Sequence, residues 1–304
     1  MRYRTRWRVA IFAGAFVLLG ASRSANAYFE RLVVSSRAYA LGGAFVSVAD
    51  DASAVVLNPA GLTQARTAGV LSTISHPYGL SDLAEYFLSA VVPSKIGSFG
   101  VSWHRFGLDG VTSEDLFTLA YGRDLVRTSQ DASLSVGAGV DIARVSYAED
   151  DGASDTAVTA TLSVLLRPFP FIGAGYTVRN IGQPSLDFVH AAIEGTVTGG
   201  TGLRATHAFG FAYHWENLFS VLYERERSQN GVWCDKIGVE ARAGDALRLR
   251  SGLTRDDITG GIGVSVSNVT IDASVTSHEA LGLSAVVSVG ISLPGGDDGK
   301  GEEW

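Results

Sequence analysis

Seven charged residues in the C-terminal half are the groups best placed to do chemistry: Glu224, Glu226, Lys236, Glu240, Arg242, Arg248 and Arg250. Within each of three consecutive alternating segments they are spaced by two or four, so each segment presents them on one face. Their chemistry is electrostatic. Opposite charges on neighbouring strands pair, giving either an ion-pair ladder that stiffens a wall or holds a plug, or a polar lining for a permeation path. Asp141, Arg179 and Asp272 fit either arrangement.

Covalent chemistry has no such foothold. There is no Gly-x-Ser-x-Gly elbow and no Walker loop, and His278-Glu279 is followed by Ala280-Leu281-Gly282, which excludes a zincin helix. Gly260-Gly261-Ile262-Gly263 sits inside an alternating segment, where glycine is a strand residue and not part of a phosphate loop. The six histidines lack metal-ligand spacing, with His104 and His214 expected as solvated lumen residues, and the single cysteine, Cys234, excludes an internal disulfide. No enzyme activity, cofactor or metal is expected.

Residues 1–27 read as a signal peptide: Arg2, Arg4, Arg6 and Arg8, an apolar run from Val9 to Gly20, and Ala25-Asn26-Ala27 as the cleavage site. Removing that leader leaves 19 basic and 31 acidic residues, a net charge of −12. Nucleic acid is therefore not an expected partner, since phosphate binding requires clustered Lys and Arg.

From Ala65 onward the chain alternates with the period of strands. Leu134, Val136, Ala138, Val140 and Ile142 oppose Ser133, Ser135, Gly137, Gly139 and Asp141, and Phe209, Phe211, Tyr213 and Trp215 oppose Gly210, Ala212 and His214. A soluble sandwich or propeller would put the apolar face inside, a membrane barrel outside. The polar face is Gly, Ser, Thr and Ala, not Lys and Glu, and the segments are long enough for a tilted crossing. Tyr86, Phe106, Tyr121, Tyr147, Tyr213, Trp215 and Trp233 are placed to form interfacial girdles.

The spacing predicts about fourteen strands, over 66–75, 84–93, 97–107, 114–125, 132–147, 155–167, 171–181, 204–216, 218–228, 232–243, 246–254, 257–267, 269–277 and 282–293. The longest connection, Gly182–Leu203, reads as a loop, and residues 294–304 as an acidic periplasmic tail. The expected fold is an all-β transmembrane antiparallel barrel, residues 65–293, around an N-terminal hatch, residues 28–64.

The hatch is the part of the mature chain that reads as neither strand nor turn. Asp50 or Asp51 is expected to N-cap a short helix over Ala52–Leu57, ended by Asn58-Pro59. Leu41-Gly42-Gly43-Ala44-Phe45, Ala49-Asp50-Asp51-Ala52 and Asn58-Pro59-Ala60-Gly61-Leu62 resemble the N-terminal hatch of two related groups of outer-membrane barrels, the FadL-type transporters of hydrophobic compounds and the PorV/PorQ-type barrels of the type IX secretion system. Asn180-Ile181-Gly182-Gln183-Pro184 resembles a stretch that recurs in PorV-like chains. The resemblance implies location in the outer membrane of a diderm bacterium, contact with its lipid, and Asn58, Pro59, Ala60 and Gly61 as hatch anchors beside an opening in the wall. It implies a PorV/PorQ-like structural or secretion-associated role, with secreted proteins or secretion components as partners, or alternatively passive passage of a small hydrophobic ligand. The short outer loops favour the first of these. A soluble periplasmic binding domain is the third reading.

Overall fold

The computed structural model describes residues 29, 32–129, 132–147, 154–192, 195–216, 218–278 and 282–293. The expected signal peptide and acidic tail lie outside them.

Fourteen strands close into one antiparallel barrel. They are β1 (Gly69–His76), β2 (Leu83–Ser94), β3 (Gly97–Leu108), β4 (Thr112–Arg127), β5 (Ser133–Tyr147), β6 (Ser154–Phe169), β7 (Ile172–Ile181), β10 (Thr206–Trp215), β11 (Phe219–Arg227), β12 (Trp233–Ala243), β13 (Leu247–Leu253), β14 (Asp257–Val266), β15 (Val269–His278) and β16 (Gly282–Ser292). β1 closes the ring on β16, from Gly69 opposite Ser292 to His76 opposite Ala285. Each expected strand corresponds to one barrel strand. The expected loop at 182–203 does not hold: β8 (Ser185–Ala192) and β9 (Gly195–Gly202) form a separate two-stranded hairpin, so β7 pairs directly with β10. Glycine at four of the eight β9 positions hid that strand, because no side-chain alternation marks it.

Alternation sets the two surfaces. Val101, Leu119, Val140, Val158, Phe211, Ile237, Ile271 and Val287 are exposed on the outside, while Ser102, Thr118, Asp141, Thr161, Ser274 and Ser288 are buried on the inside. A soluble protein buries the apolar face of its sheet. This one exposes it around the whole ring and carries its polar side chains inward, which is the surface of a transmembrane barrel. No helix among the described residues is long and apolar enough to cross a membrane, so the strands make the crossing.

The aromatic girdle is smaller than the sequence suggests. Tyr86, Tyr213, Trp215 and Trp233 are exposed on the outside, and Tyr121 packs on Phe99 at 5.1 Å. Phe106 and Tyr147 instead share the parity of lumen residues: Phe106 follows His104 by two, and Tyr147 follows buried Val145 by two and packs with the lumen cluster.

The lumen is filled by the chain that precedes β1. It contains helices α1 (Ser36–Ala40) and α2 (Ala54–Leu57) and a 3-10 turn, Pro59–Gln64. Two apolar clusters result. One joins Leu41, Phe45, Val55 and Leu62 to Phe87, Val91 and Leu222 of the wall. The other joins Phe29 to Leu116, Val145, Leu186 and Leu203, beneath the hairpin. Both ends of the barrel meet at the opposite mouth, where the Leu293 N–H donates to the Ala68 carbonyl at 2.6 Å.

Candidate functional site

The hatch motif is held by backbone and side-chain polarity together. Gly42 and Gly43 follow α1 with φ of +66° and +80°, a left-handed turn that other residues adopt only under strain. Leu41 is fully buried. The Asn58 amide donates to the Val46 carbonyl at 2.7 Å and accepts from the Ala60 N–H at 3.1 Å, tying the two halves of the hatch. Ala60 N–H also donates to Ser163 Oγ at 2.9 Å, and Gly61 N–H to the Asn58 carbonyl at 2.8 Å. Gly61 packs so closely on Ala49 that an added Cβ would stand 2.1 Å from its carbonyl oxygen.

The expected helix cap is corrected here. α2 begins at Ala54, and its N-cap residue Ser53 makes no side-chain cap bond. Asp51 accepts one residue earlier, from Ser53 N–H at 2.8 Å and from the Ser53 hydroxyl. Asp50 turns away from the helix to Arg37, 2.5 Å from its guanidinium, with Asp51 at 3.8 Å. α2 is too short to reward capping over these alternatives.

The seven charged residues form two groups and leave two residues over. In the first, Glu224 accepts from the Phe45 and Val46 N–H groups, each at 2.9 Å, and pairs with Lys236 at 3.0 Å. Lys236 also reaches Glu226 at 2.6 Å, and Arg179 closes the chain on Glu226 at 2.5 Å. In the second, Glu240 binds Arg37 of the hatch at 2.9 Å and Arg250 at 2.6 Å, and Arg250 continues to Asp272 at 2.5 Å. Arg242 and Arg248 join neither group. Asp141 is also separate, accepting from Thr118 at 2.6 Å and Thr161 at 2.8 Å.

The hatch lies between two spaces. Toward the hairpin is a cavity of about 280 Å³. Phe29, Leu32, Leu57, Leu116, Ala143 and Leu203 line it on one side, and Arg179, Glu226 and Lys236 on the other. Beyond the opposite face is a vestibule of about 1050 Å³ that opens at the mouth carrying the chain ends. The wall beside the cavity is irregular. Pairing of β6 with β7 slips there between Ala160 and Leu162, and a second time at the vestibule end, between Leu166 and Phe169. Asn180 takes φ of +56° at the first slip. Such bulges interrupt pairing; Arg179, inward by the same parity as buried Thr177, meets Glu226 beside the slip.

A barrel of fourteen strands with helices in its lumen has solved counterparts. The Ralstonia pickettii toluene transporter TbuX superposes with a TM-score of 0.61 at 13% identity, over 84% of this chain and 97% of the transporter. A Pseudomonas aeruginosa FadL homologue gives 0.58 at 12% identity, over 84% and 97%. The Pseudomonas putida toluene transporter TodX gives 0.54 at 10%, over 78% and 91%. The fold is that of the FadL-type channels. No protein-family model and no curated protein sequence matches the chain.

Several residues of this FadL-type lumen carry no signal in the sequence. Arg37 lies in a five-residue helix, where no period marks its direction. Lumen glycines are the seats of the hatch: a Cβ on Gly137 would stand 2.1 Å from Ala60 N, on Gly175 2.2 Å from the Val46 carbonyl oxygen, and on Gly252 2.2 Å from Gly42 N. His104 is not solvated. It is buried against Glu85 at 2.8 Å, and Glu85 also accepts the Val33 N–H at 2.7 Å. His214 bonds Ser220 at 2.7 Å in the vestibule wall. Cys234 is half-buried.

Proposed function

We propose that the protein is a non-enzymatic outer-membrane conduit for small hydrophobic molecules, with the hatch as its gate. One observation carries this: the cavity between hatch and hairpin has an apolar side, built from Phe29, Leu32, Leu57, Leu116, Ala143 and Leu203, and reaches the wall at Arg179 and Asn180, where the β6–β7 pairing first slips. Ligand pockets combine apolar walls with fixed polar groups, here Arg179, Glu224, Glu226 and Lys236, paired with one another, and Asp141, which accepts from Thr118 and Thr161. A neutral ligand fits such a lining better than an ion. The likeness to two toluene transporters and a FadL homologue supports the same class of cargo.

The test is saturable uptake of a labelled alkylbenzene by cells expressing the chain, compared with Ala143→Phe. Ala143 is 1% exposed and lines the cavity, so the larger ring fills it. Lost uptake from a folded, membrane-inserted variant is the expected result. Equal uptake by both would remove the cavity from the path.

A secretion-associated role of PorV/PorQ type draws on a different feature. The Asn180–Pro184 turn leads into a two-stranded sheet whose outer edges pair with no other strand among the described residues, and free edges accept strands of partner proteins. Co-purification of a secreted protein that is lost on deleting residues 185–202, with uptake intact, would favour this reading.

A further inference from the structure

The vestibule holds arginines that lack acid partners. Arg242 and Arg248 occupy directly opposed positions on the inward faces of β12 and β13, where like charges repel. Among the described residues neither is in an ion pair, and Arg248 donates only to the Asp245 carbonyl, at 3.3 Å. Arg167 donates to the neutral Gln64 amide oxygen at 2.7 Å. All three line the same space. Arg37 and Arg250, which also line it, are bonded to Asp50, Glu240 and Asp272. Arg167, Arg242 and Arg248 therefore face this space with no ion-pair partner of their own among the described residues, in a lining of six arginines against five carboxylates, Glu216 included.

The opposite charge leaves the barrel at this rim. Gly290, Ile291 and Ser292, the last residues of β16, are part of the vestibule wall. Residues 294–304 follow, carrying Asp297, Asp298, Glu302 and Glu303 against the single cation Lys300. At about 3.3–3.6 Å per extended residue, the first two carboxylates lie within roughly 18 Å of Leu293 and the last two within roughly 36 Å. That reach covers the mouth.

We propose that residues 294–304 dock in the vestibule of their own barrel, with their carboxylates on Arg167, Arg242 and Arg248. Arginine is suited to this because its planar fork meets a carboxylate with two parallel bonds.

The test uses the full chain in detergent micelles, with Cys234→Ser and Gly301→Cys to carry one nitroxide label. The expected spectrum is immobilised at low salt and mobile at about 1 M salt, where the screening length is about 3 Å. Reversing the arginines (R167E, R242E, R248E) is expected to free the label at low salt. Combining that reversal with D297K, D298K, E302K and E303K is expected to immobilise it again. Should the arginine variant fail to fold, D297N, D298N, E302Q and E303Q remove the same interaction without touching the barrel. A label that is mobile at low salt in the folded protein overturns the proposal, as does immobilisation indifferent to salt and to both sets of substitutions. So does immobilisation lost on diluting the labelled chain by itself at constant detergent, which would assign the site to the segment of a second copy.

Discussion

The two halves of the hatch are fastened by different physics. Between Ser53 and Gln64 no residue is charged. This half sits on β3 to β6 by close packing, with Val55 and Leu62 over Gly100, Pro59 over Gly122 and Ala60 over Gly137. The half from Arg37 to Asp51 also uses glycine seats, but adds charged attachments to carboxylates of the facing wall: Glu224 for the Phe45 and Val46 amides, and Glu240 for Arg37. A packed seat cannot loosen gradually, because a displaced backbone meets the wall. A carboxylate latch has two states, bonded and released, and the energy separating them is set by a few groups. The first half is the one that adds such latches to its glycine seats, and it carries Gly43, Phe45 and Val46 on the wall of the cavity toward the hairpin.

Glu224→Ala is the most severe way to break that contrast. It leaves the Phe45 and Val46 N–H groups without their acceptor in a buried setting and takes one of Lys236's two carboxylates, leaving Glu226. Removing one partner of a buried pair costs about 3–5 kcal/mol. Ion conductance in planar bilayers is expected to rise as the first half of the hatch detaches while the barrel persists. Unchanged conductance and unchanged unfolding would show that the latch carries no load.

Gly137→Ala attacks the other half. Its Cβ would stand 2.1 Å from Ala60 N, a backbone atom that has no rotamer to change. Overpacking of this kind costs about 1–3 kcal/mol, and thermal unfolding is the readout. The effect is expected to be the same in low and high salt, since no charge is involved. Asn58→Ala lies between the halves. It leaves the Val46 carbonyl without its donor and is expected to cost about 1–2 kcal/mol, again by thermal unfolding, with a smaller rise in conductance than Glu224→Ala.

What the sequence made legible follows the same division. Strand parity is local, so the fourteen barrel strands and the inward positions of Glu224, Lys236, Glu240 and Arg250 can be read directly from alternation. The turn at Asn58-Pro59 is legible because proline and the side-chain amide act within two residues. The hatch partners are not, because the Glu224 to Phe45 bond spans 179 positions and the Arg37 to Glu240 bond 203. Alternation places a charge on a face without saying what stands opposite. For that reason Glu224 reads as a wall ion pair when its closest work is on hatch amides, and Arg242 reads like Arg250 although only Arg250 has carboxylates. The β8–β9 hairpin failed for a composition reason, glycine erasing the period. Phe106 and Tyr147 are inward by parity, since a place near a strand end does not by itself put a ring on the outer surface.

The smallest expected effect separates Arg37's two kinds of partner. Glu240 is well shielded, whereas the Asp50 side chain is 40% exposed and shares Arg37 with it. Asp50→Ala is expected to cost under about 1 kcal/mol, the ordinary worth of a solvated pair, because Arg37 keeps Glu240. The loss should shrink further as salt screens the wild-type pair. Measured against Glu240→Ala, which removes Arg37's wall partner and half of Arg250's bonding, a ratio near one would mean that Arg37 is held by the hatch's own carboxylates. The wall would then fasten that half of the hatch through Glu224 alone.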